Sequence, residues 1–390
     1  MWSNNKKVDT LVNILIFLVA INFFHYGQFI LPVICLILFV DRKFTFKVNN
    51  IKVFILLCLF GIAFCLFSYK LGFYCVMGFC LPMSYYIGSN IVNPNEENIK
   101  KLIYIIAFGM ASHIILNMVY SYSIKGEDFL TSQGFYDIWL GSKVADTATA
   151  VNYVFSIGCF YYILFYEKKL PIKLIGLLTF IVILSYDAFL GRRTPILLFC
   201  LIFILTMILD FSIFHRSKKN FKTLLYIFLF IVLVALLGLY IYRNFLDNWG
   251  KVIVYYSTLL SKFRKEGLSS GRLELFIDSI KLVPYHLWGG QEISMILDIR
   301  PHDLILDTYD YAGIVPAMIL LGYIIYTVYI CIKYLTKNNL TKEHKVLMAS
   351  LLLAIGVQLC LEPIMTGSSN FLMIVIILIS VIEKAFINER

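Results

Sequence analysis

The feature that most constrains this chain is a succession of apolar runs, most near the roughly 20 residues a helix needs to cross a bilayer, cut by short turns rich in Lys and Arg. Hydrophobic residues make up 60% of the 390 positions and charged ones 15%, whereas a soluble domain is about half apolar and a quarter charged. The sequence therefore predicts an all-α polytopic integral membrane protein, a single membrane domain over 1–390. About twelve spans are expected, near 8–24, 26–40, 51–69, 71–92, 102–122, 145–166, 172–190, 195–214, 223–243, 311–333, 346–362 and 369–384. The start, MWSNNKK, leads into an apolar run without a small-residue cleavage site and is read as a retained first span.

Charge sets the expected orientation. The turns on the side of Lys6 and Lys7 carry 21 of the 34 basic residues; by the positive-inside bias that side is cytoplasmic, with both termini on it, in a multi-pass protein of the cell membrane. The net charge of +10 belongs to these turns, so no nucleic-acid partner is expected. The nine cysteines fall within or at the ends of apolar runs and read as small hydrophobes.

One stretch is neither a span nor a short connector. Residues 244–310, between spans 9 and 10, form a long extracytoplasmic loop that holds SSGRLELF, HLWGG and PHDLILDTYDYAG. Trp249, Ile253, Tyr256, Leu260 and Phe263 recur at helical spacing and make one apolar stripe, which suits either the membrane surface or packing on neighbouring spans. Ser269, Ser270 and Gly271 open a second helix with Arg272 in its first turn. Pro284 ends it, and Trp288-Gly289-Gly290 makes a turn. Pro301 opens a third helix holding His302, Asp303, Asp307 and Asp310, the aspartates on one face. Two other outside connectors stand out: the segment 123–145 with its aromatics, and FLGRRTPI, where Arg192 and Arg193 end a span containing Asp187. Charges at that depth are costly and need a partner. Pairing with Asp187 or lipid headgroups is one reading, an anion clamp the other.

Guanidinium groups make paired hydrogen bonds to phosphate oxygens and keep their charge, so a cluster of them suits a substrate with fixed negative charge. Arg192, Arg193 and Arg272, with Arg264 in the same loop, are the candidates. No GxxxxGK[ST] or strand-borne GxGxxG is present, so the substrate is expected to bring its own leaving group. A polyprenyl diphosphate presented by the lipid phase fits. His302 suits a general base on a sugar hydroxyl. It also suits a plain helix-start hydrogen bond, or, with Asp303 and Asp307, a divalent metal site.

The outward GRR at the end of a middle span, SGR opening a loop helix, LWGG, and PHD followed by YDYAGIVPAMILLG occur in one order. In this the chain resembles the O-antigen polymerase and O-antigen ligase group of membrane glycosyltransferases, in detail over 185–325 and in span layout throughout. The resemblance implies a type-C glycosyltransferase-like fold, an undecaprenyl-diphosphate-linked oligosaccharide as donor, and no metal or other cofactor. Arg192 or Arg193 and Arg272 would bind the diphosphate, and His302 and Arg272 would be catalytic. Asp303, Asp307 and Trp288 would support the acceptor; a flippase and a chain-length regulator would be partners beside the lipid bilayer. Asp303 departs from the Asn common after the His, which keeps the metal reading open.

Richness in Phe, Ile and Tyr favours the polymerase (Wzy-type), which makes O-antigen, capsule or exopolysaccharide, over the ligase that hands the finished glycan to another acceptor. A lipid-linked oligosaccharide flippase is the rival of another class and would place ionisable residues deep in the spans. A membrane subunit without chemistry is the third reading.

Overall fold

The computed structural model describes residues 6–68, 73–91, 93–126, 136–143, 151–189, 194–212 and 272–387. These are helical, and the only β pairing among them is an isolated bridge between Tyr136 and Lys143. The helices are α1 (Lys6–Ala20), α2 (Gly27–Asp41), α3 (Ile51–Phe67), α4 (Phe73–Ile91), α5 (Glu96–Lys125), α6 (Val154–Phe165), α7 (Leu170–Phe189) and α8 (Thr194–Ser212). After the segment 213–271 come α9 (Arg272–Leu282), α10 (Glu292–Leu297), α11 (Leu304–Ala312), α12 (Ile314–Leu335), α13 (Lys342–Leu361), α14 (Ile364–Gly367) and α15 (Ser369–Ile387). The expected span near 223–243 and the apolar stripe of Trp249 to Phe263 lie outside the described residues.

Among the described residues, five helices are long and apolar enough to cross a membrane: α5, α8 over Thr194–Phe211, α12, α13 and α15. Helices α2, α3 and α6, and α7 over Leu170–Leu184, are apolar but shorter. The surface has the polarity of a membrane protein rather than a soluble one. Leu36, Leu66, Leu178 and Ile325 face outward, while Ser84, Asn117, Gln358 and Glu383 are packed inside. Backbone satisfied within each helix, with apolar side chains outside and polar ones inside, is the arrangement a lipid solvent selects.

The polar turns define where the helices begin. Asn50 caps α3 by accepting from Lys52 N at 3.1 Å, and Asn95 caps α5 from Asn98 N at 2.8 Å; such caps satisfy backbone donors that the helix itself leaves unpaired. Glu96 is held by Thr341 N at 2.8 Å, which carries α5 past the apolar limits 102–122. The described part of the run 145–166 opens with a turn at 151–153, where Asn152 reaches His113, and is helical from Val154.

Helix α15 is the axis of the bundle, with 94% of its apolar window buried, and it packs against α1, α4, α5 and α12. At Gly88 of α4 a Cβ would lie 2.3 Å from the Ile377 carbonyl oxygen, so this contact depends on a residue without one, as close helix pairs in membranes do. The C-terminal half of α15 meets the basic turns: Asn49 Nδ2 donates to Ser380 O at 2.6 Å and Lys337 Nζ to Ala385 O at 2.8 Å. Its N-terminal end meets α1, through Asn370 Nδ2 and Val19 O at 2.7 Å. The bundle thus has a basic end and an opposite end, and α9, α10, α11 and the 362–370 segment gather at the opposite one.

Candidate functional site

The site is built on the segment between α9 and α12. Gly289 and Gly313, both with positive φ (77° and 81°), press their backbones together: a Cβ on Gly289 would lie 2.5 Å from Gly313 N, and one on Gly313 2.8 Å from Trp288 C. Ile314 N donates to Leu287 O at 2.9 Å, and Gln291 N to Asp310 O at 2.7 Å. The Asp310 carboxylate accepts from Ser294 N at 3.1 Å and from the Ser294 hydroxyl. LWGG and YDYAG are therefore two halves of one backbone clasp. Gly313→Ala is expected to lower stability by about 1–3 kcal/mol, since it adds left-handed strain to a contact without room for a methyl; thermal unfolding in detergent measures it.

This clasp sets α11 at the opposite end of the bundle and places the residues the sequence singled out. The helix begins at Leu304, not at Pro301, because Asp303 adopts extended backbone and caps it, Oδ1 accepting from Leu306 N at 2.8 Å. Asp303 Oδ2 is buried with no hydrogen-bond partner among the described residues. His302 precedes the cap. Its Nδ1 donates to Arg300 O at 2.8 Å, which leaves Nε2 to accept a proton. Burial first, and then the charge of Arg272, push this imidazole below its ordinary value of 6.5, because both disfavour its cationic form. Arg272 starts α9 and reaches the end of α13, donating to Leu361 O and to Glu362 Oε1, each at 2.8 Å. That ion pair is mostly enclosed, with 26% of the Arg272 side chain and 4% of Glu362 exposed.

The three aspartates of PHDLILDTYD do separate jobs rather than forming one face. Asp303 caps α11 and Asp310 holds α10. Asp307 is buried and accepts from Thr366 N at 2.9 Å and Thr366 Oγ1 at 2.6 Å. Burial raises the Asp307 carboxyl to about 7. A carboxyl raised on folding stabilises most at low pH, and that contribution is lost as pH rises from its unfolded value of 3.8 through 7. Asp307→Asn is accordingly expected to flatten the fall in melting temperature between about pH 4 and 7, read by thermal unfolding across that range.

Arg272, His302 and Asp303 line one end of a cleft of about 1070 Å³. Its walls are α8 (Thr194, Leu197, Leu201) and α12, backed by α13 and α15. Along α12 the lining runs from Leu320 to Leu335, roughly 22 Å at about 1.5 Å per residue. Apart from its mouth the cleft is almost wholly apolar. Trp288 is not in it; this side chain is exposed and stacks on Phe67, ring centres 5.7 Å apart. Arg192, Arg193 and Arg264 lie outside the described residues.

A second polar centre at the same end involves residues that the sequence reading did not single out. Asp137, fully buried, sits between His25, Nε2 to Oδ1 at 3.0 Å, and His113, Nε2 to Oδ2 at 2.9 Å. Its Oδ1 also accepts from Trp139 N and Leu140 N, at 2.8 and 3.1 Å, and Oδ2 from Asn117 Nδ2 at 3.3 Å. Burial works against ionisation of Asp137, but the two imidazoles outweigh it and hold the carboxyl well below the usual carboxylate range. The group opens on a cavity of about 350 Å³ lined by Asn22, Asn152, Ser368 and Asn370. The signals in the sequence were a histidine in mid-span, His113, and an aromatic-rich connector around DIWLG. Segment 362–370 joins the two centres: Glu362 binds Arg272, Thr366 binds Asp307, and Thr366 to Asn370 line the second cavity.

No family model matches the chain, and no curated protein gives a significant match.

Proposed function

We propose that this chain is a membrane glycosyltransferase of the O-antigen polymerase kind, joining polyprenyl-diphosphate-linked oligosaccharide units at the end of the bundle opposite its basic turns. The observation that carries the reading is the cleft: an apolar channel as long as most of a span, with Arg272, His302 and Asp303 at one end. A polyprenyl chain fits the apolar walls, and its diphosphate then lies beside a guanidinium, which favours phosphate oxygens. Neutral His302 beside it has the proton affinity of a base for an acceptor hydroxyl, whose attack on the anomeric carbon releases the polyprenyl diphosphate. The buried Asp303 oxygen offers that hydroxyl, or a neighbouring one, an acceptor. Among the described residues, two deep carboxylates of the kind a flippase would need are committed: Tyr85 bonds Glu383 at 2.5 Å, and Tyr161 and Tyr166 hold Asp210 at 2.9 and 2.7 Å.

The test is the size profile of surface and lipid-linked glycan in cells lacking the protein, on a gel that resolves single repeats. Loss of long chains with single lipid-linked repeats retained is the expected result. Long chains held on the lipid carrier would make the protein a ligase, and an unchanged profile would overturn glycan assembly altogether.

A further inference from the structure

From the second centre we infer that His25, His113 and Asp137 form a binding site for one divalent transition-metal ion of the zinc type, independent of the Arg272–His302 cleft. Two imidazoles and a carboxylate are a common donor set for such ions, and three protein ligands leave a further position for water or substrate. The ligand atoms all lie within 4.8 Å of one another, and the two nitrogen-to-oxygen separations are 3.0 and 2.9 Å. Ligands held at about 2.0–2.1 Å in a tetrahedron stand roughly 3.4 Å apart, so a small outward movement of the side chains seats the ion.

Two observations separate this from a simple histidine–aspartate ion pair. Although His25 Nε2 lies 3.0 Å from Asp137 Oδ1, it is buried and off the axis of a hydrogen bond, with no hydrogen-bond partner among the described residues. That leaves His25 Nε2 free to face a third atom. Moreover, each imidazole is held from behind by an amide: Asn22 Nδ2 is 3.1 Å from His25 Nδ1, and Asn152 Nδ2 is 3.3 Å from His113 Nδ1. Amide oxygen and nitrogen exchange places by a flip. With the oxygens turned to the rings, Nδ1–H of each histidine donates and both Nε2 lone pairs serve the ion, which is the outer-shell support that metal-binding histidines have. Asp137 is held in place by Trp139 N, Leu140 N and Asn117. The cavity beside the three ligands contains Asn370 Oδ1, buried and without a partner among the described residues, an acceptor for a metal-bound water. The ion would tie the α1–α2 connector, α5 and the 136–143 turn to one point.

The full-length protein in detergent, stripped with a chelator, is titrated with Zn²⁺ alone and, separately, with Co²⁺ alone, and bound metal is counted after gel filtration. One ion per chain is expected, with a rise in melting temperature and a visible Co²⁺ absorption band. Asp137→Asn should lose this ion. His25→Gln, a change at a part-exposed position, should weaken binding by at least about tenfold, while its metal-free melting temperature stays at that of the metal-free parent. His286→Gln, at the exposed His286–Glu292 pair, should bind as the parent does. Absence of stoichiometric metal in the parent overturns the site, as does equal binding by the parent and His25→Gln. Because the readout is bound metal, its failure is distinct from failure of the glycan reading.

Discussion

Arg272→Ala is expected to destabilise the protein by about 3 kcal/mol or more, because it removes the guanidinium from a carboxylate that is almost fully enclosed. Glu362 is 4% exposed at its side chain, and the same Arg272 also holds the Leu361 carbonyl at the end of α13. The loss should appear as a lower melting temperature and reduced accumulation in membranes. Arg272→Ala combined with Glu362→Gln removes the stranded charge and is expected to recover most of that stability. The double variant then decides what the arginine does. If Arg272 binds the diphosphate, the recovered protein still makes no long chains; normal polymer from it would reduce Arg272 to a strut between α9 and α13.

His302 should behave in the opposite way. Its one side-chain bond among the described residues is to the Arg300 carbonyl, so His302→Gln is expected to change stability by less than about 0.5 kcal/mol while lowering chain formation by about 10²–10⁴-fold, the range of a lost general base. The pH dependence has a definite sign. Burial and Arg272 hold the imidazole below 6.5, so it is neutral and able to accept a proton at neutral pH. Polymer formation by purified protein should therefore be flat above that value and fall as pH drops through the lowered pKa, a fall absent from residual activity in His302→Gln. Polymer yield near the parent's in this variant would sink the base assignment.

Much of the fold could be read along the chain because the responsible physics is local. Runs of Leu, Ile and Phe can satisfy their backbone only by becoming helices in lipid, and Asn50, Asn95 and Thr341 stand where helices begin. The order of SGR, LWGG and PHD pointed to Arg272 and His302, and these do share one cleft mouth with Asp303. Spacing misled where tertiary contacts competed with it. The three aspartates fit one helical face by periodicity, but Asp303 is taken by the cap, Asp307 by Thr366 and Asp310 by Ser294. Trp288, a supporting contact in the sequence reading, stacks on Phe67 at the surface rather than lining the cleft.

What the sequence determined by itself, then, is the all-helical membrane class, the polarity of its two ends and two of the residues at the cleft. Only the tertiary structure decided who meets whom across long separations. Glu362 is 90 positions from Arg272, and Asp137 is more than 100 from His25; neither pairing leaves a periodicity or spacing in the chain. Composition and helical repeat reflect burial against lipid, which acts on every residue singly, whereas an ion pair or a metal site depends on the packing of whole helices around α15.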